Sequence, residues 1–158
     1  MLTADFVRER LHYDLDTGVF SWKKTRYGVK VGSSLGTKTE KGYLVVGLAG
    51  RNCLLHRLAF LYVLGEMPRM VDHINGDKTD NRWSNLRAIT PRGNMQNFRR
   101  ASKNNRLGVL GVREYYGRFR AQIKHYGKTI DLGRFDSAEL AHDAYLAAKR
   151  RLHQACTI

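Results

Sequence analysis

The sequence predicts an α+β fold with two parts. The first part is a strand–loop–strand–helix (ββα) unit preceded by N-terminal strands. The second is a small three-stranded antiparallel sheet packed on one C-terminal helix. Two short apolar strands, at 70–73 and 86–89, flank a polar loop and precede a helix start at Thr90-Pro91. Over 111–135, apolar and polar residues alternate between turn sequences, which is typical of a small antiparallel sheet.

The elements before the ββα unit are predicted from local patterns. Thr3 is a suitable N-cap for a first helix, and Gly65 with Pro68 ends a second one. We predict mostly loop for the glycine-rich stretch 26–42. The other predicted elements are a helix at 4–11, strands at 19–22 and 42–48, a turn at 49–52 followed by a second short strand, and a helix at 56–64.

The C-terminal part begins after a basic, polar stretch, RRASKNNR at 99–106. Turns at Tyr116-Gly117 and Tyr126-Gly127 separate three strands, and Asp136–Glu139 resembles a capping box that opens a helix to about His153. One face of that helix is apolar and is predicted to pack on the sheet; it consists of Leu140, Ala141, Ala144, Tyr145, Ala148 and Leu152. We therefore divide the chain into a first domain at 1–100, a linker at 101–106 and a second domain at 107–158.

The charge of the chain indicates a polyanionic partner. Lys and Arg number 28 against 14 acidic residues, which gives a net charge of +14. The excess is spread over both parts, because residues 1–100 carry 17 basic and 9 acidic residues and residues 101–158 carry 11 and 5. This distribution favours nucleic acid contacted by both parts.

The cysteines and the N-terminal segment exclude several classes of protein. Cys53 and Cys156 are the only cysteines and form no C-x-x-C pair, which argues against a disulfide scaffold and a structural zinc ribbon. The N-terminal segment MLTADFVRER is charged and lacks the apolar core of a signal peptide. We expect a cytoplasmic protein without a membrane partner, in the host cell cytoplasm if the chain is phage-encoded.

The stretch VDHINGDKTDNRWSNLRAITPRGNMQN contains the residues suited to metal-dependent hydrolysis. Asp72 and His73 end one strand, and Asn94 lies in the first turns of the following helix. Asp72 and Asn94 offer oxygen ligands of the kind that Mg²⁺ prefers, with coordination positions left for water and phosphate oxygens. His73 is suited to accept a proton from water, because the ordinary pKa of histidine is about 6.5. Asn85 can tie the long loop together through amide–backbone hydrogen bonds.

These residues resemble the phage and intron-encoded HNH endonucleases that have asparagine in the third motif position. The pattern D-H-I-N-G-D-K-T-D-N-R-x-x-N-L-R…N-x-x-N carries the resemblance, and G-V-F-S-W-K and L-H-R-L-A-F-L-Y-V-L-G-E-M-P extend it over nearly all of 11–100. The resemblance implies a ββα-metal nuclease fold in which Asp72 and Asn94 are metal ligands, His73 is the general base and Asn85 is the structural second motif residue. Asparagine in place of the last histidine favours Mg²⁺ or Mn²⁺ over Zn²⁺.

Several alternatives stay open at these positions. Asn97, one turn beyond Asn94, is a rival metal ligand, and N-G-D-K-T-D-N is compatible with a plain turn-rich loop or with an inactive relic used only for binding. His56, at the start of a helix, either approaches the scissile phosphate or caps the helix and packs beside Trp83. Arg82 and Arg87 are candidate phosphate contacts, or solvated charges of a basic protein.

A second basic surface is predicted on the C-terminal sheet. In its second strand, apolar residues alternate with polar ones, so one face packs on the helix and the other presents cations. The first strand continues the polar face. The candidate DNA-binding residues on this face are Arg113, Tyr115, Arg118, Arg120, Gln122 and Lys124. The alternative is a sheet that only clamps phosphates.

The C-terminal pattern also resembles a known DNA-binding domain. G-V-R…G-R-F-R-A-Q-I-K…L-G-R-F-D-S-A-E-L-A-H-D-A-Y, over about 107–153, is similar to the domain of plant ethylene-response factors, which occurs as a module in phage and bacterial HNH endonucleases. The family has glutamate and tryptophan where this chain has Gln122 and Asp131. The base preference of the plant domains is therefore not expected.

The sequence thus predicts a metal-dependent endonuclease, of the phage homing type, that nicks or cuts double-stranded DNA as a monomer or homodimer. A restriction or packaging role fits the same residues. The alternative is a non-catalytic, sequence-specific DNA-binding regulator derived from an HNH protein.

Overall fold

The computed structural model describes residues 2–25, 28–153 and 156. The chain forms two compact units, residues 1–90 and 91–158. The first unit therefore ends ten residues before the C-terminal limit, residue 100, that the sequence predicts for the nuclease domain. The helix that follows Thr90 packs within the second unit.

The described residues of the first unit form two α-helices and three small antiparallel sheets. The sheets pair β1 with β2, β3 with β4 and β5, and β6 with β7. The elements are α1 (Ala4–Arg10), β1 (Leu11–Tyr13), β2 (Phe20–Trp22), β3 (Thr37–Lys38), β4 (Leu44–Leu48), β5 (Arg51–Leu54), α2 (Leu55–Leu64), β6 (Val71–His73), a single 3₁₀ turn (Trp83–Asn85) and β7 (Leu86–Ala88).

The helix limits agree closely with those expected from the sequence. The Thr3 hydroxyl accepts a hydrogen bond from the Phe6 amide at 3.2 Å and so caps α1. Gly65 ends α2 in the left-handed conformation, with φ of 78°. Strand β3 and the pairing of β1 with β2 were not predicted, because two- and three-residue strands carry too little alternation to be recognised. Residues 26 and 27 of the predicted loop lie outside the described residues.

The core of the first unit joins its N-terminal hairpin to α2. Val7 and Leu11 are fully buried with Leu58 of α2. The ring of Tyr13 stacks on Phe20 with centroids 4.4 Å apart, and Phe60 packs on Trp83 at 4.8 Å. The loop that leads into β7 is therefore anchored to the same core as the N-terminal hairpin.

The second unit contains the three-stranded sheet and the C-terminal helix expected from the sequence. The strand order is β10-β9-β8, all antiparallel, and α4 packs on the sheet through Ala141, Tyr145 and Ala148. The elements are α3 (Pro91–Gln96), β8 (Val112–Tyr115), β9 (Arg118–His125), β10 (Lys128–Phe135) and α4 (Ala138–Leu152). Leu140, expected on the packing face, is 55% exposed, because it is turned about 100° from Ala141 around the helix axis.

The segment predicted as a linker is held within the second unit. The buried ammonium of Lys149 in α4 donates a hydrogen bond to the carbonyl of Phe98. The Asn105 amide donates to the carbonyls of Val109 and Val112 at 2.7 and 2.9 Å. These bonds hold residues 98–112 to the sheet and helix, and α3 ends at Gln96.

None of the helices in the described part of the chain is long and apolar enough to cross a membrane.

Gly18 offers a test of how closely the N-terminal hairpin approaches the loop before β7. A Cβ at this position would lie 2.3 Å from the Arg82 nitrogen and 2.4 Å from the Asn81 carbonyl carbon, both backbone atoms. We expect Gly18→Ala to lower the free energy of unfolding by about 3 kcal/mol or more, from the left-handed φ and from overpacking.

Gly28→Ala is the matched control, because Gly28 has the same φ of +73° but open space around it. Gly28→Ala should lower the free energy of unfolding by only about 1–2 kcal/mol. Both tryptophans, Trp22 and Trp83, lie in the first unit, so urea unfolding followed by tryptophan fluorescence reports on that unit. Equal losses in the two variants would contradict the close approach.

Candidate active site

The candidate site is built on the two-stranded ribbon of β6 and β7. Asp72 is paired with Arg87 across the ribbon, and His73 with Leu86. A three-residue strand has little stability of its own, so the ribbon depends on what surrounds it. The loop between the strands, residues 74–85, returns to the ribbon through its own side chains.

Asp72 forms a partly buried ion pair with Arg87. Nη2 and Nε of Arg87 lie 2.8 and 3.1 Å from the same carboxylate oxygen, Oδ2. The side chains of Asp72 and Arg87 are 16% and 26% exposed. Arg87, a candidate phosphate contact in the sequence, is thus placed where it orients the Asp72 carboxylate.

His73 is almost completely buried, with 3% of its surface exposed. Its Nε2 lies 3.1 Å from Oδ1 of Asn81, which is also buried. The imidazole packs edge-on against the ring of His56 at a centroid distance of 5.0 Å and lies 6.1 Å from the ring of Tyr43. The ring of His73 is therefore held in one orientation by an amide and by two aromatic neighbours.

His56 lies in the first turn of α2 and is 4% exposed. Its Nδ1 is buried and has no hydrogen-bond partner among the described residues. Burial, and to a smaller extent electrostatic interactions with His73 and Arg57, lower the pKa of His56 to about 4. The ring contacts His73 and Tyr43, whereas the ring that packs on Trp83 is that of Phe60. His56 is therefore a neutral neighbour of His73 at physiological pH.

Asn85 closes the loop between the strands. Its Oδ1 accepts a hydrogen bond from the Asn75 amide at 2.9 Å, and its Nδ2 donates to the Asp80 carbonyl at 2.8 Å and to Asn75 Oδ1 at 3.1 Å. These are the amide–backbone bonds that the sequence leads one to expect of Asn85. They bring the two ends of the loop together beside His73.

A second polar contact fixes the middle of the loop. Both Nε and Nη2 of Arg82 bind the Asp80 carboxylate, at 2.8 and 2.6 Å. The hydrogen bonds from Arg82 lower the pKa of Asp80 to about 2, so this pair stays charged over the physiological range. Arg82, the other candidate phosphate contact, is held by Asp80.

Asn94 and Asn97 belong to the second unit, whereas Asp72 and His73 belong to the first. Asn94 lies within α3, and the Asn97 amide donates to the carbonyls of Gly93 and Asn94 at 3.2 Å at the end of that helix. Both asparagines are partly buried. The choice between them as metal ligand stays a prediction.

The residues of the first unit fit a hard divalent cation. The Asp72 carboxylate is partly exposed, offers about four acceptor positions, and accepts hydrogen bonds from Arg87 at Oδ2. Among the described residues, no group of three or more His, Cys, Asp or Glu side chains is arranged to hold a metal. A site for Mg²⁺ needs few protein oxygens, since this ion keeps several waters.

Two neighbours of His73 had no role in the sequence analysis. Asn81 stands in the D-N-R portion of the motif, but a spacing argument does not show that its side chain turns inward to the histidine. Tyr43 lies thirty residues before His73, in the turn before β4, and the contact between their rings is formed only by the tertiary fold.

In the second unit, the outer face of the sheet presents the predicted polar residues. Arg113 of β8 and Arg134 of β10 are both paired with Arg120 of β9, so three arginines form a row across the strands. The guanidinium groups of Arg120 and Arg134 lie 5.5 and 4.9 Å from the centroid of the Tyr115 ring. Arg134 was missed in the sequence, because its place in the row depends on the β-bulge between Asp131 and Gly133.

Acidic residues offset part of this charge. Arg120 is paired with Asp131 and Arg118 with Asp136, each at 2.7 Å. The hydrogen bond from Arg120 lowers the pKa of Asp131. Of the other predicted residues, Arg113 and Lys124 are exposed and Gln122 is partly buried.

Comparison with known proteins finds similarity over the stretch that contains Asp72 and His73. Residues 53–96 match the model of the HNH endonuclease family, so this stretch of the chain is similar to HNH endonucleases. An uncharacterized HNH endonuclease of Acanthamoeba polyphaga mimivirus is 31% identical over 94 residues, which cover 58% of this chain and 48% of the viral protein. The match thus spans about half the length of that relative. No solved structure matches the chain.

The burial of His56 predicts a pH-dependent loss of stability. Between pH 6.5 and about 4 the unfolded chain binds a proton at His56 and the folded chain does not, so lowering the pH through this window favours unfolding. Of the stability present above pH 6.5, about 2–3 kcal/mol should be lost at pH 4 through this residue.

The measurement is the free energy of urea unfolding as a function of pH, by tryptophan fluorescence. His56→Phe, which keeps an aromatic ring but does not titrate, should flatten the profile in this window. His12→Phe, at an exposed position of β1, should leave it unchanged. Identical profiles for wild type and His56→Phe would show that burial of His56 has no such effect.

Proposed function

We propose that this protein is a metal-dependent DNA endonuclease that hydrolyses a phosphodiester bond at Asp72 and His73. The observation that carries the proposal is the placement of a partly exposed carboxylate beside a buried, oriented imidazole on β6. The HNH endonuclease match over 53–96 includes both residues. The name of the mimivirus relative supports the same activity.

Asp72 is the proposed metal ligand beside His73. Asn94, with Asn97 as its rival, is the further metal ligand that the resemblance implies. Oxygen ligands favour Mg²⁺, with Mn²⁺ as a second choice. When bound, the cation supplies positive charge that stabilises the transition state and the leaving oxygen. The ion pair with Arg87 orients the Asp72 carboxylate for this role.

His73 is the proposed general base. One of its ring nitrogens takes a proton from a water molecule whose oxygen forms the new bond to phosphorus. The bond from phosphorus to the 3′ oxygen breaks, which leaves a 5′-phosphate and a 3′-hydroxyl after the leaving oxygen is protonated by solvent. The neutral His56 beside His73 adds no charge that would oppose proton uptake.

The outer face of the sheet is the proposed second DNA contact. Like charges placed opposite one another across strands lower the stability of a sheet, and the row Arg113–Arg120–Arg134 contains two such pairs. The phosphates and guanine edges of DNA are ligands that would balance these charges. Tyr115 supports the row through its contacts with two of the guanidinium groups.

One motif implies one hydrolytic centre in each chain. A monomer should therefore nick one strand, and cutting both strands requires a homodimer or a second encounter. The resemblance to phage proteins favours a homing or mobility endonuclease that acts in the host cytoplasm.

Cleavage of supercoiled plasmid tests the activity. Wild type with Mg²⁺ should produce open circles before linear DNA, and EDTA should abolish both products. His73→Ala and Asp72→Asn should each lower the rate by about 100-fold or more, since they remove the base and a metal ligand. If Asn94 is the second metal ligand, Asn94→Ala should cleave the plasmid more slowly than Asn97→Ala.

His12→Ala and Asp16→Asn are the matched controls, because both residues are exposed and lie on the N-terminal hairpin. They should cut at the wild-type rate. DNA binding without cleavage by wild type, tested on plasmid pools of random sequence to cover a strict target site, would instead support a non-catalytic DNA-binding regulator.

Arg134→Ala tests the sheet face. It should weaken DNA binding by about 5- to 100-fold and reduce the slope of log affinity against log salt by about one, since one phosphate or base contact is lost. Arg150→Ala, an exposed position on α4, removes the same charge away from the sheet. Equal losses in the two variants would show that net charge, and not the row of arginines, accounts for the affinity.

A further inference from the structure

A polar contact of the His73 imidazole determines which of its ring nitrogens carries the hydrogen. Nε2 of His73 lies 3.1 Å from Oδ1 of Asn81, and the two residues are 3% and 1% exposed. Water has little access to either group, so the bond between them is not readily exchanged for a bond to solvent.

The orientation of the Asn81 amide identifies which atom donates. Its Nδ2 donates to the carbonyl of Thr79 at 3.4 Å, which turns Oδ1 toward the histidine. An amide oxygen only accepts, so Nε2 of His73 must carry the hydrogen. Neutral imidazole has one N–H, and Nδ1 of His73 is then the nitrogen with a lone pair.

The rings around His73 do not select between the tautomers. His56 and Tyr43 pack against its ring and limit its plane. A half-turn of the imidazole would satisfy the same packing, but it would place Cε1 opposite Asn81 and lose the hydrogen bond. Asn81 is therefore the described neighbour that distinguishes the two edges of the ring.

Asn81 is itself held by the N-terminal hairpin. The Tyr13 hydroxyl donates to the Asn81 carbonyl at 2.7 Å, from a side chain that is 2% exposed and stacked on Phe20. Burial raises the pKa of Tyr13, so the phenol stays a donor at any physiological pH. Gly18 leaves no space for a side chain against the backbone of Asn81. The hairpin of β1 and β2 thus fixes a residue sixty-eight positions away.

We infer that Asn81 is the positioning residue of the site: it holds His73 in the Nε2–H tautomer and directs Nδ1 to the water that is to be deprotonated. The role of Nδ1 rests on the proposed nuclease function. The tautomer and its dependence on Asn81 do not.

The test uses the full chain with isotope-labelled histidine, and long-range nitrogen–proton NMR at alkaline pH, where imidazoles are neutral. Wild-type His73 should show the Nε2–H pattern. Asn81→Leu, which removes the acceptor at similar size, should give a mixture of tautomers. Asn81→Asp, which keeps an oxygen at the same place, should restore the Nε2–H form.

Plasmid cleavage with the same variants completes the test. Asn81→Leu should lower kcat by about 10- to 100-fold with little change in KM, as for other residues that orient a functional histidine. Asn81→Asp should recover most of the rate. Because Asn81→Leu could also unfold the first unit, tryptophan fluorescence of each variant is compared with that of wild type.

The possible outcomes separate this inference from the proposed function. An Nδ1–H pattern in wild type, or wild-type cleavage by a folded Asn81→Leu, would overturn the positioning role and leave the nuclease intact. A protein that cuts no DNA, but whose Nε2–H tautomer is lost in Asn81→Leu, would overturn the proposed function and support the positioning role.

Discussion

The side-chain amide of Asn85 is the contact on which the geometry of the first unit's site depends. It bonds to Asn75 and Asp80 and so joins the two ends of a twelve-residue loop whose polar backbone groups would otherwise need water. Strands β6 and β7 have three residues each, too few to hold that loop by themselves. With the loop closed, Asp80 is positioned to bind Arg82, and Asn81 turns inward to His73. The orientation of His73 therefore follows from bonds made by side chains that do not themselves react.

The carboxylates near His73 are paired with arginines, and its histidine neighbour is neutral. Asp72 is paired with Arg87 and Asp80 with Arg82, so both carboxylates have a fixed cation beside them. His56 is buried and neutral, with a pKa of about 4. His73 therefore lies near one neutral imidazole and two carboxylates that are each paired with an arginine.

Prediction from sequence succeeds where the information is local and fails where it comes from distant parts of the chain. The cap at Thr3 and the helix end at Gly65 depend on three or four neighbouring residues, and each is found in the structure. The capping box predicted at Asp136–Glu139 lies one residue too early, because the N-cap of α4 is Ser137, whose hydroxyl accepts a hydrogen bond from the Leu140 amide. The Asp72-His73 pair and Asn85 were likewise recognisable, because they lie in one continuous motif. The roles of Asn81 and Tyr43 were not, since they arise from contacts with β1 and from the packing of α2. Residues 101–106 were predicted as a linker from their polar composition, which does not reveal the hydrogen bonds that Lys149 and Asn105 make around this segment.

On the sheet of the second unit, arginines lie opposite one another, and this arrangement lowers the stability of the sheet. Arg120 lies opposite Arg113 on one side and opposite Arg134 on the other, and Asp131 is the carboxylate that pairs with Arg120. A sheet selected for stability alone would place opposite charges or β-branched residues at these positions. The helix side of the sheet does follow that rule, with Val112, Ala121 and Ile123 packed on α4. The repulsion between arginines is therefore confined to the solvent-exposed face of the sheet. A polyanion bound to this face would reduce that repulsion.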